Sequence, residues 1–347
     1  MRKSIISLLS VLFFVGILAG CVSKNSGSDT GSSGNKGEES SGSDELTVAV
    51  VPKLVGIPYF NASEKGAEQA GKDLGINVEY TGPTKADAAA QVKVIEDLIS
   101  KNVDVIAVAP NDPASVEPVL KKAKEQGIKV MDWDTPANKD LVDLSVHQID
   151  DKVFGSHMAE KLVKAMGTDS GQVALLTGGL SAANLNSWLD AAKKKFAEDY
   201  PGIEIVTDKI PTDEKQQVAY QKTLNLIKSY PNLKGILAVS TPAPLGAAQA
   251  IQEKGLQDKI AVVGSALPTD SKPFLEDGSL DTAVLWNPKK LGYLTVKLGK
   301  MLAEGKIPKD DQNIENIGNI SIKEDGKTVI MGPPADYTKE NAGNFDF

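Results

Sequence analysis

Apolar residues follow two alternating spacings along most of the chain. Short, nearly continuous runs rich in β-branched residues, such as Val48, Val50 and Val51, have the composition of strands buried on both faces of a parallel sheet. Between them, apolar residues recur every three or four positions, as in Ala62, Ala67, Ala70 and Leu74 or Val92, Ile95, Leu98 and Ile99, which is the stripe of a one-faced helix. The first strand covers Thr47 to Val51 and is stopped by Pro52; helix 61–74, ended by Gly75, follows. Then come strand 78–80, helix 86–100, strand 103–109, helix 113–126 and strand 129–134. The rhythm repeats with helix 152–166, strand 172–177, helix 184–199, strand 203–210, helix 213–229, strand 235–240, helix 244–253 and strand 260–264. A strand–helix repeat of about 25 to 30 residues predicts right-handed βαβ units. The fold class is therefore α/β, with two doubly wound parallel-sheet (Rossmann-like) lobes joined by a three-crossover hinge. Crossovers near His147 to Asp150, Asn287 and Ile317 predict a first lobe of 45–148 plus 287–318 and a second of 149–286 plus 319–347, the tail from Ser321 returning to the second lobe.

The two ends of the N-terminal region change the picture. Arg2 and Lys3, an apolar run from Ile5 to Leu18, and Leu18-Ala19-Gly20-Cys21 have the order of an export signal. Residues 22–44 are almost all Ser, Gly, Asn, Asp, Lys and Glu, a composition with too little apolar surface to fold, and are expected to form a flexible tether. Cys21 is the only cysteine, so neither a disulfide framework nor a catalytic thiol is expected in the folded part. A formal charge of −8 with no dense basic block argues against nucleic acid. Two histidines, ten residues apart at 147 and 157, predict no metal site. No G-x-G-x-x-G or Walker loop follows a strand; Thr177-Gly178-Gly179-Leu180 lacks the third glycine and reads as a plain turn. No cofactor is expected, and binding is expected rather than turnover.

In an open α/β sheet, ligands sit at the carboxyl ends of the strands. There the chain places Lys53, Tyr59 and Phe60 after the first strand, Asp134 at the end of the fourth, Asn184, Leu185 and Asn186 at the start of a helix, Val239, Ser240 and Thr241 at a later strand end, and Trp286 beside Asn287-Pro288. A carboxylate accepts from neighbouring hydroxyls, and amides both donate and accept, which suits a polyol. Aromatic faces stack on the C–H faces of sugars, and although aromatics are 5% of the chain, several fall at these ends. Trp133 alternates with Asp132 and Asp134 and is expected to point into the core, as is Trp188. Asp132 is the one obvious carboxylate partner for Asp134 and is expected on the opposite face, so the paired carboxylates a glycosidase needs are not expected.

From Glu45 onward these residues resemble the type I periplasmic binding proteins that feed sugar-like ligands to ABC importers. Pro52-Lys53-Leu54-Val55-Gly56, Thr81-Gly82-Pro83-Thr84, Met131-Asp132-Trp133-Asp134 and the terminal 339–347 are most similar to the autoinducer-2 receptors of that family, while Trp286-Asn287-Pro288 and Leu291-Gly292-Tyr293 are also similar to its rhamnose-binding members. Leu-Ala-Gly-Cys resembles the bacterial lipobox, which implies lipidation at Cys21. The resemblance implies an extracytoplasmic, lipid-anchored monomer that closes around a small polyhydroxylated ligand and presents it to a membrane permease, or to a chemoreceptor or kinase. Carried over by position, the receptors' lysine falls on Lys53 and their first-lobe aspartate on Asp134. Their second-lobe Asp-Gln pair falls on Asn184 and Leu185, and their Pro-x-Ala strand end on Val239, Ser240 and Thr241, so both of these depart.

Overall fold

A computed structural model describes residues 45–347. The export signal, the tether and Cys21 lie outside the described residues. Two seven-stranded sheets organise what is described. The first runs, from edge to edge, Ser321–Ile322, Thr328–Ile330, Leu144–His147, Lys129–Trp133, Val105–Val108, Thr47–Val51 and Asn77–Tyr80. All its neighbours are parallel except the Ser321–Ile322 hairpin partner at the edge. The second runs Ala335–Tyr337, Thr282–Leu285, Ala261–Gly264, Leu233–Ala238, Ser170–Thr177 and Gly202–Ile205, with Ile210–Pro211 also on Ser170–Thr177; here only Ala335–Tyr337 is antiparallel. No helix among the described residues is long and apolar enough to cross a membrane.

Burial explains why the strand segments read as continuous apolar runs. Val48, Ala49, Val50 and Val51 are all fully buried. Because strand side chains alternate, Val48 and Val50 enter one apolar core while Ala49 and Val51 enter the other. Trp133 follows the same rule, fully buried against Phe60 and Tyr80. Helices cover the sheets in pairs that cross at glycines. Between Pro58–Leu74 and Pro288–Ala303, a Cβ on Gly66 would stand 1.9 Å from the Lys289 carbonyl oxygen, and one on Gly292 would stand 1.9 Å from that of Ser63. Gly155 lies against Trp188 between Asp151–Met166 and Ala183–Asp199, and Gly246 against Gln216 between Gln216–Ser229 and Pro242–Lys254.

The tail departs from expectation. Thr328, Val329 and Ile330 pair in parallel with Ser145, Val146 and His147, so the chain from Ser321 stays on the first sheet, and only Ala335–Tyr337 joins the second. The β-branched Thr328-Val329-Ile330 run covers what would otherwise be an open edge at Leu144–His147. The third crossover therefore lies at 331–334, between those strands, and not near Ile317.

Asp132, on the core side of its strand, accepts from the Ala137 amide at 2.8 Å and from the Ser145 hydroxyl. Burial outweighs those bonds and pushes its carboxyl up to about 7. A folded-state value above the unfolded one means the proton is held more tightly by the folded chain. Stability is then fully present below about pH 4 and is lost as pH rises toward about 7. Asp132→Asn is expected to remove that loss. In urea unfolding from pH 5 to pH 7, the variant should gain on the wild type by about 1.4 kcal/mol per pH unit at most; a constant difference would show that Asp132 ionises freely.

Candidate ligand-binding site

The carboxyl ends of the two sheets face each other across one cavity of about 360 Å³, counting the part that opens to solvent. Lys53, Tyr59, Phe60, Asp134, Asn184, Leu185, Ser240, Thr241 and Trp286 all line it.

Four polar groups hold one another across the gap. Lys53 and Asp134 come from the first sheet and are 3% and 4% exposed, which for a charged pair demands partners. Lys53 Nζ donates to Asn184 Oδ1 at 2.8 Å and lies 3.7 Å from Asp134 Oδ2. Asn184, in the first turn of Ala183–Asp199, donates from Nδ2 to the Asp134 carbonyl at 3.2 Å and to Oδ2 at 3.3 Å. The Tyr59 hydroxyl donates to Asp134 Oδ1 at 2.6 Å and accepts from Trp286 Nε1 at 3.1 Å. Burial and the neighbouring Asp134 carboxylate push the Tyr59 hydroxyl well above its ordinary value, so it stays a donor.

Trp286 stands where the chain leaves the second sheet, and rings from both lobes surround it. Its ring centre is 6.0 Å from that of Tyr59, 5.3 Å from Phe154 and 5.6 Å from Trp188, all edge-on. These edge-to-face contacts fix the ring at the cavity wall. Backbone strain gathers at the same place. Asp134, Glu214 and Ser240 adopt φ of 61°, 54° and 84°, a left-handed region that costs side-chain-bearing residues free energy and is retained where the surroundings enforce it.

Two selected positions do not reach the cavity. The Asn186 amide is turned back onto its own loop, donating to the carbonyls of Gly179, Leu180 and Ala182 at 2.9, 3.0 and 2.9 Å. Val239 is fully buried, and its amide is spent on the Leu176 carbonyl. Conversely, Trp188, expected in the core, is both buried and part of the lining, with its ring nitrogen on Asp151 at 2.7 Å. Ser265 and Glu214 also line the cavity and were not selected. Ser265 was within reach of the same rule, since it follows directly on the strand Ala261–Gly264. Glu214 was hidden because the sequence pattern starts a helix at 213. The helix begins instead at Gln216, and Asp213 and Glu214 form a left-handed turn before it.

Two parallel-sheet lobes with a polar and aromatic cavity between their strand ends define a two-lobed solute receptor of the periplasmic binding protein type I fold. The chain belongs to the family described as periplasmic binding protein domain, whose model matches residues 48–307. It is similar to the D-allose-binding periplasmic protein of Escherichia coli K12, 26% identical over 274 residues, spanning 75% of this chain and 88% of that protein. An ABC transporter solute binding protein from Clostridium phytofermentas with bound L-rhamnose is 28% identical and superposes with a TM-score of 0.81 over 86% of this chain and 98% of that one. LsrB from Clostridium saccharobutylicum, in complex with AI-2, shares the fold at 24% identity, with a TM-score of 0.81 over 87% and 100% of the two chains.

Proposed function

We propose that this chain is the extracytoplasmic receptor of an ABC importer, which captures one small, neutral, sugar-like ligand between its lobes and delivers it to a membrane permease. The observation that carries this reading is the convergence of Lys53 and Asp134 from the first lobe with Asn184 from the second, beside the Trp286 ring. Donors and acceptors from both lobes make ligand binding and lobe closure one event. Lys53 and Asp134 occupy the two positions that the resemblance assigns to autoinducer-2 receptors, and autoinducer-2 is the first ligand we propose. Leu185 favours a second reading. It lines the cavity with an apolar side chain at the position where the resemblance implies an amide, which suits a sugar carrying a methyl group, such as rhamnose. Neither ligand requires a cofactor. Leu18-Ala19-Gly20-Cys21 supports a lipid anchor on Cys21, and the receptor acts as a monomer without turnover.

A thermal-shift series on the full chain in mild detergent tests this with autoinducer-2 in borate-free buffer, L-rhamnose and D-ribose. A ligand at 100 times its dissociation constant stabilises the folded state by about 2.7 kcal/mol, a measurable rise in melting temperature. A rise with autoinducer-2 alone supports the first ligand and a rise with rhamnose the second; no rise with any neutral sugar at millimolar concentration overturns the reading.

A further inference from the structure

We infer that Glu214 is a second carboxylate grip, provided by the lobe opposite Asp134, and that it restricts the site to neutral polyols against their anionic acid or phosphate counterparts. The inference rests on the proposed function and deepens it.

Three separate features of the fold serve to hold this carboxylate at the cavity. Asp213 and Glu214 take consecutive left-handed conformations, φ 55° and 54°, which end the approach from Ile210–Pro211 and turn the Glu214 side chain inward before the helix starts at Gln216. Gly178 leaves the room it fills, since a Cβ there would stand 2.2 Å from Glu214 Oε1 and 2.6 Å from its carboxyl carbon. Ser240, itself left-handed at φ 84°, donates its hydroxyl to Glu214 Oε2. A solvated surface glutamate needs none of these. Burial raises the Glu214 carboxyl above its ordinary range, with Lys53 and Ser240 pulling the other way.

The charge count decides what such a site accepts. Among the lining residues, Lys53 is the only cation, set against Asp134 and Glu214, so the cavity has an acceptor excess of one carboxylate. Hydroxyls can donate to both carboxylates. A ligand carboxylate or phosphate would place like charges together in a space screened from water, where repulsion is strong. Ser265, 1% exposed on the same lobe and lining the same cavity, has a hydroxyl with no protein partner and is free to take a further ligand group.

The test is titration calorimetry of the full chain in mild detergent with two matched pairs, D-ribose against ribose 5-phosphate and D-galactose against galacturonate, together with L-rhamnose and autoinducer-2. Wild type is expected to bind at least one neutral ligand and to bind each anionic member at least 100-fold more weakly than its neutral partner. Glu214→Gln keeps the shape and the Ser240 contact. It should weaken the neutral ligand about tenfold or more and narrow the neutral-to-anionic ratio. Gly178→Ala, which displaces the carboxylate without removing it, should weaken the neutral ligand in the same direction and serves as a second arm if Glu214→Gln does not fold. Neutral-ligand affinity within twofold of wild type in whichever variants fold would overturn the role of Glu214 and leave the sugar receptor standing. A wild type that binds the anionic members as well as the neutral ones overturns the charge selection alone, and one that binds no neutral ligand overturns both the inference and the reading beneath it.

Discussion

Asp134→Asn is expected to weaken ligand binding about 10- to 150-fold, because a hydrogen bond to a charged group in a buried site is worth about 1.5 to 3 kcal/mol. The carboxylate is held ready by Tyr59, whose hydroxyl lies 2.6 Å from Oδ1, and by Thr135, whose hydroxyl lies 3.0 Å from Oδ2. These contacts fix the direction from which ligand hydroxyls can donate. The substitution also leaves the buried Lys53 without its nearest anion, and removing one member of a buried pair destabilises by about 3 to 5 kcal/mol. Affinity is therefore to be measured well below the variant's melting temperature, with circular dichroism recorded in the same buffer. Wild-type affinity in a folded Asp134→Asn protein would remove Asp134 from the ligand site.

Gly292→Ala is expected to be among the most damaging single-methyl changes in the fold. The added carbon would meet the Ser63 carbonyl oxygen at 1.9 Å and the Ala67 amide nitrogen at 3.1 Å, and both are helix backbone that cannot rotate away. Overpacking costs about 1 to 3 kcal/mol and sometimes more, which exceeds the roughly 1 kcal/mol that alanine gains over glycine in a helix. The damage reaches the site as well. Pro58–Leu74 carries Tyr59, and Pro288–Ala303 begins two residues after Trp286, so parting these helices lengthens the 3.1 Å contact between the Trp286 ring nitrogen and the Tyr59 hydroxyl. Denaturant unfolding should show lower stability, and the ligand response should weaken with it. Unchanged stability would mean that the two helices can separate freely at this crossing.

Strand-and-helix order was legible because burial imposes it on residue type. A parallel strand covered on both faces must be apolar at every position, and a covering helix must be apolar on one side. The α/β class, the positions of Lys53 and Asp134 at strand ends, and the inward direction of Trp133 follow from that local rule. The separation of Asp132 from Asp134 does not, because alternation puts residues two apart on one face; Asp134 lies one residue past the end of Lys129–Trp133 with φ 61°, and that turn takes it to Tyr59 while Asp132 stays on Ser145.

The remaining features depend on which segments meet. Thr328–Ile330 has the same β-branched composition as any buried strand, and only the vacant edge at Leu144–His147 draws it to the first sheet. Asn186 has the same chemistry as Asn184, but two helical positions separate a side chain aimed across the cleft from one bonded to its own loop. Glu214 is separated from Asp134 by 80 residues of sequence and belongs to the other lobe, and no periodicity marks a left-handed turn that replaces the first turn of a helix. The sequence by itself determined the layers, the strand ends and the kinds of side chain placed there, because those depend on each residue's own burial. Only the tertiary structure decided which of those side chains share a cavity, because that depends on the crossing of helices and the facing of two sheets, contacts between residues far apart in the chain.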